Sequence, residues 1–170
     1  MMPGMRTIRQ TIVVLVSMPG FFVWPAAFAN DEAEHHVTSE HQLALFVGGG
    51  VEREHGGHEE NGTAFGIKYD LELSRKWGAG VDLEYLSGSG TNRAWVVAVP
   101  VSYHPNEKWR VFAGPGREFK GKKDRYLLRA GLGYRINLRQ HWSLSPEFVV
   151  DFSESGAKTY VLGMSIGYGF

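Results

Sequence analysis

Tyr126-Leu127-Leu128-Arg129-Ala130-Gly131-Leu132-Gly133-Tyr134-Arg135-Ile136-Asn137-Leu138-Arg139 is the stretch on which the fold turns. One parity reads Tyr126, Leu128, Ala130, Leu132, Tyr134, Ile136 and Leu138. The other reads Leu127, Arg129, Gly131, Gly133, Arg135, Asn137 and Arg139. Successive side chains of a strand point to opposite faces, whereas a helix repeats about every 3.6 residues, so an alternation this long is a strand with one apolar face.

The same split closes the chain, with Tyr160, Leu162, Met164, Ile166, Tyr168 and Phe170 set against Val161, Gly163, Ser165, Gly167 and Gly169. It recurs in Phe65, Ile67, Tyr69, Leu71 and Leu73 against Ala64, Gly66, Lys68, Asp70 and Glu72. Eight such runs are predicted, at about 43–53, 63–74, 79–87, 93–104, 108–118, 125–139, 142–153 and 158–170. Eight is a closing number for a small antiparallel up-and-down barrel. The connections alternate too. Ser74 to Gly78, His104 to Glu107 and Arg139 to His141 read as tight turns; Glu54 to Gly62, Ser87 to Asn92, Lys120 to Asp124 and Ser153 to Ala157 are more polar. An even strand count puts both termini with the tight turns, the periplasmic side of a spanning barrel, and makes the polar connections extracellular loops.

Composition agrees. A chain of 170 residues predicts one domain. With 22 Gly and 13% aromatic residues, and a mean hydropathy of −0.23, it suits short strands and tight turns better than a helical globule. No cysteine excludes disulfides, a thiolate nucleophile and a zinc site of the Cys type. Eighteen basic against eighteen acidic residues argue against a nucleic-acid partner.

Residues 1–29 read as a secretory signal peptide rather than an anchor: Arg6 and Arg9, an apolar run around Ile12 to Val16, and Ala27-Phe28-Ala29 before Asn30, with Pro19 and Pro25 interrupting it. Cleavage there leaves 16 basic and 18 acidic residues. Residues 30–40 are then expected as a periplasmic N-terminal segment and 41–170 as the barrel. No later segment has the roughly 18 uninterrupted apolar residues of a spanning helix, so strands are the remaining route across a membrane.

A soluble lipid carrier would turn its apolar parity inward. Three features favour outward. The other parity is rich in Gly and Ala, which suits a crowded interior. Aromatics collect at strand ends, Phe65, Tyr85, Trp95, Tyr126, Phe152 and Tyr160 at one level and Trp77, Tyr103, Trp109, Trp142 and Phe170 at the other, as in membrane girdles. The third is the apolar-alternating terminus itself.

At this point the sequence, over about 40–170, resembles the small eight-stranded outer-membrane barrels, the OmpA/OmpX-like class. The resemblance implies a bacterial outer-membrane location, with membrane lipid and lipopolysaccharide as partners. Tyr168-Gly169-Phe170 looks like the C-terminal signal that the barrel-assembly machinery reads, although Ser165 stands where the class often has Gly. No cofactor is implied. Pro100, Pro115 and Pro146 each remove a ladder donor, and Gly114-Pro115-Gly116 is expected as a bulge or early strand end.

Taking the polar parity as lumen-facing puts Glu52, Lys68, Asp70, Glu72, Asp82, Glu84, Arg110, Arg129, Arg135, Arg139, Glu147 and Asp151 inside. An eight-stranded bore is filled by side chains, so these charges must pair. The expected network is Glu72, Asp82, Glu84, Arg110, Arg129, Arg135, Arg139 and Glu147, a structural plug; its rival is a narrow conduit for ions or small solutes.

Four further groups are candidates. His55 and His58, with flanking carboxylates, have the spacing of a weak metal site, against the alternative of a solvated Gly-rich loop. His35, His36 and His41 lie at the opposite mouth, about 25 Å away across the apolar band, and cannot share it. Lipid A deacylases place a nucleophilic Ser near a His on the lipid-facing side; Ser102 with His104, and Ser143 with His141, stand two residues apart on one strand face. Arg93, Arg117, Lys120, Lys122, Lys123 and Arg125 form a cationic rim suited to lipopolysaccharide phosphates, or to solubility alone.

Overall fold

The computed structural model describes residues 41–53, 59–88, 93–121 and 123–170, with Lys123 through its backbone alone. The expected signal peptide 1–29 and segment 30–40 lie outside these residues, as do His35, His36, His55, His58 and Lys122.

The strands are β1 (His41–Arg53), β2 (Glu59–Glu72), β3 (Trp77–Gly88), β4 (Arg93–Ala98), β5 (Val101–Tyr103), β6 (Trp109–Lys120), β7 (Lys123–Tyr134), β8 (Ile136–Arg139), β9 (Trp142–Ser153) and β10 (Lys158–Gly169). Against β3, Ala98 pairs with Asp82 and Val101 with Ala79, one continuous register. β4 and β5 are therefore a single barrel strand interrupted at Val99-Pro100. Likewise β7 and β8 both pair β9, through Gly133↔Glu147 and Ile136↔Leu144. Eight barrel strands result, each antiparallel to its neighbours, and β10 closes on β1 from Gln42↔Gly169 to Arg53↔Lys158. Closure removes every open edge.

The prolines act differently from expectation. β6 runs unbroken through Gly114-Pro115-Gly116, and the interruption falls on the facing strand. Pro115 serves its neighbour as an acceptor, its carbonyl taking the Val99 N–H at 2.9 Å, while the Pro100 carbonyl accepts from Gly80 at 2.8 Å. A Cβ on Gly114 would sit 2.5 Å from the Pro100 Cα, so this close approach needs glycine. The register shift lies elsewhere, between Asn137 and Arg139 in β8. β2 also begins earlier than the alternation suggested, at Glu59, where Arg53 and Glu59 form an exposed ion pair at 2.9 Å.

The two parities separate as inside and outside. Leu45, Leu128 and Leu162 are exposed, the last at 67%, while Lys68, Asp82, Glu84 and Arg129 are 0–1% exposed. A soluble carrier barrel would show the reverse. Cross-strand aromatic pairs stand at both ends of the apolar belt: Tyr85 and Trp95 at the loop end, and Trp77 with Tyr103, Trp109 with Tyr134 and Trp142 with Tyr168 at the turn end, all with ring centroids 5.0–5.1 Å apart. Each such pair adds about 0.5–1.5 kcal/mol beyond its buried area.

Candidate functional site

The lumen is the polar centre of the molecule, and small residues create the room for it. The ring of Phe46 lies over Gly163 and that of Phe112 over Gly131, in positions where a Cβ on either glycine would collide with the ring. With Ala64, Val149 and Val161 these rings form the buried apolar cluster. Lys68 Nζ sits 4.1 Å from the Phe46 ring centroid, so the cation rests on an aromatic face as well as on its counter-ions.

Arg129, on β7, reaches across to carboxylates on two other strands. Its Nε and Nη2 donate to the two oxygens of Asp151 at 2.8 Å each. Nη1 and Nη2 donate to the two oxygens of Glu84 at 2.7 and 3.0 Å, and Nη1 also donates to Asp82 at 3.3 Å. A guanidinium has five N–H donors, so all of Arg129's are used. Lys68, on β2, donates to Glu147 at 2.6 Å and lies 3.6 Å from Glu84, linking the two groups; Ser165 donates to the other oxygen of Glu147. Nearer the turn end Arg110 pairs with Asp70 at 2.5 Å, and Arg135 bridges Glu72 at 2.9 Å and the Gln42 carbonyl at 3.0 Å.

Of the network read from the sequence, Glu72, Asp82, Glu84, Arg110, Arg129, Arg135 and Glu147 all make ion pairs or face them across the lumen. Arg139 does not. It follows the register shift at the end of β8, and every residue of that strand is exposed. Period-2 counting through a bulge assigns the wrong face.

The two Ser–His pairs part company. Ser102 Oγ and His104 Nε2 are 3.4 Å apart, but both face the lumen, 2% and 8% exposed, rather than lipid. Burial, reinforced by the charge of Arg135, lowers the His104 pKa from its ordinary value to about 4, so the ring is neutral at pH 7. Ser143 accepts a hydrogen bond from Gln42 at 2.6 Å inside the lumen, while His141 is exposed and packs on Tyr168, ring centroids 5.6 Å apart. His141 lies in the turn before β9, where strand parity no longer holds.

The cationic rim divides as well. Arg93 is exposed. Arg117 is half-exposed beside Phe119 and Tyr126 and pairs with Asp124 at 2.8 Å. Arg125 reaches Ser155 at 3.4 Å. Lys120, however, turns into the lumen mouth, where it meets Glu52 at 3.1 Å with its side chain 18% exposed. It shares the inward parity of Arg110 and Phe112, so its place in a lipid-facing rim is corrected.

No family model and no curated protein matches the sequence. Solved structures do. Neisserial surface protein A superposes with a TM-score of 0.62 at 10% identity, covering 78% of this chain and 98% of that one. OprG of Pseudomonas aeruginosa gives 0.52 at 11%, over 78% and 98%. Ail, the attachment invasion locus protein of Yersinia pestis, gives 0.51 at 17%, over 77% and 99%. The chain has the fold of the small outer-membrane barrels.

In this eight-stranded barrel the sequence reading placed Ser165 on the inward parity but left Gln42 and Glu118 out of the lumen. Both are even-numbered and share the inward parity of β1 and β6, but polar neutral residues and strand ends were not counted with the charges. Phe46 and Phe112 were missed for the opposite reason. An aromatic on the glycine-rich parity signals a ring covering a glycine across the strand pair, and no charge marks it.

Proposed function

We propose that the protein is a non-enzymatic barrel of the bacterial outer membrane, with a structural or surface-interaction role and a lumen closed by its ion pairs. The observation that carries this reading is Arg129, fully buried and holding carboxylates of β3 and β9 together from β7. A group with all five donors engaged leaves little freedom for a passing ion. The cavity beside Asp70, Arg110 and Glu147 has a volume of about 20 Å³, room for a single water. Ser102 and His104 lie inside the wall, out of reach of a lipid chain, which speaks against a lipid A-modifying enzyme.

Lipopolysaccharide is the proposed lipid partner. Arg93 and Arg117 stand at the aromatic level of the loop end, where phosphate groups would receive charge-assisted hydrogen bonds. The terminal Tyr168-Gly169-Phe170 is proposed as the contact with the assembly machinery. The deciding experiment is planar-bilayer recording of the refolded protein, with mass analysis of lipid A from cells with and without it. A closed structural barrel passes no steady current and leaves lipid A unchanged. A steady selective current, or a lost acyl chain, would replace this reading with the conduit or the enzyme.

A further inference from the structure

At the loop end a cavity of about 40 Å³ opens above the apolar cluster. Ala64, Leu86 and Val161 form its floor, and Glu52, Glu60, Glu118 and Lys120 line its walls. Glu52 and Glu118 therefore face the one ammonium of Lys120, and that ammonium is already engaged by Glu52 at 3.1 Å. Glu118 is 8% exposed, yet among the described residues it has no hydrogen-bond or ion-pair partner. A carboxylate so withdrawn from water is costly unless a counter-ion joins it.

We infer that this vestibule binds a small organic cation, a short primary alkylammonium, with Glu118 as its counter-ion. The excess negative charge of the walls excludes an anion. A metal ion fits poorly, because no three ligating side chains among the described residues converge on one point. An alkylammonium meets both halves of the site: its N–H donors suit Glu118 and the wall residue Thr159, and its alkyl end replaces water over the apolar floor. The strap from Lys120 to Glu52 crosses the mouth beside the cavity and limits entry to small ligands. The inference concerns the outer vestibule alone and is independent of whether the lumen beneath it conducts.

The test is calorimetric titration of the full refolded chain in detergent micelles, at constant ionic strength, with propylammonium, propionate and propanol. Saturable 1:1 binding of propylammonium alone is expected. Glu118→Gln keeps the shape and removes the charge, and it should weaken binding about tenfold or more. Leu86→Trp, which fills the floor and leaves Glu118 in place, should abolish binding. A heat-dependent gel shift verifies that each variant is folded. No saturable binding to the wild type, equal binding of propanol, or an unchanged affinity in folded Glu118→Gln would each overturn the inference.

Discussion

Replacing Arg129 with methionine tests the lumen most directly. The substitution keeps an unbranched side chain but removes five hydrogen bonds to Asp82, Glu84 and Asp151. These three carboxylates are at most 4% exposed, so water cannot take the place of the guanidinium. Among the described residues the remaining cation in contact with any of them is Lys68, 3.6 Å from Glu84 and committed more closely to Glu147 at 2.6 Å. Breaking a buried pair from one side costs about 3–5 kcal/mol, and three stranded carboxylates place Arg129→Met at the upper end of that range. Arg129→Lys retains the charge with three donors in place of five and should cost less, about 1–3 kcal/mol. Arg135→Ala provides the contrast. Its side chain is 20% exposed and its partners are Glu72 and Gln42 at the open end, so about 1–2 kcal/mol is expected. The assay is urea-driven unfolding of the three variants in phospholipid vesicles, followed by tryptophan fluorescence and by the gel shift of the folded barrel. If Arg129→Met unfolds within about 1 kcal/mol of the wild type, or Arg135→Ala costs more than it does, the lumen is wet and the charge network does not hold the barrel.

Gly131→Ala places a methyl group against the Phe112 ring, and the overpacking should cost about 1–3 kcal/mol in the same assay; a neutral result would mean that the ring is free to move. Leu132→Arg, at mid-height on the outer face, should cost about 2–4 kcal/mol in bilayers, and no loss would place that face in water. His104 supplies a pH dependence. The unfolded ring binds its proton near the ordinary value and the folded one at about 4, so acidification between these values favours the unfolded chain. The His104 contribution is present above that window and is lost as pH falls through it. Wild type minus His104→Gln, compared from pH 7 to pH 4, isolates that slope, and parallel curves would refute the buried neutral imidazole.

Strand number, strand faces and the outward apolar belt were legible in the sequence because each rests on a local period. The side chains of Leu128, Leu132 and Met164 point outward whatever lies across the barrel, and the eight alternating runs match the barrel strands within a few residues at most ends. The reading slipped where the period is interrupted. Arg139 beyond the shift in β8 and His141 in its turn were assigned faces that their backbone does not give them. It slipped again at Pro115, because a missing N–H matters only on the side where the ladder requires a donor.

Which charges meet is a different kind of information. Arg129 and Arg135 stand six residues apart on one parity and look equivalent in the chain, yet one is sealed among three carboxylates and the other opens on the turn end. Lys120 belongs to a basic cluster in the sequence, but its partner is Glu52, on a strand across the mouth. Glu118 and Glu52 come together over a shared cavity although no local pattern links them. The partners of a lumen side chain are set by the stagger with which the strands close, a property of all eight together. The sequence alone determined the sheet and its two faces, since alternation is local; closure decided the pairs, because only the closed register brings distant charges within reach in a space that excludes water.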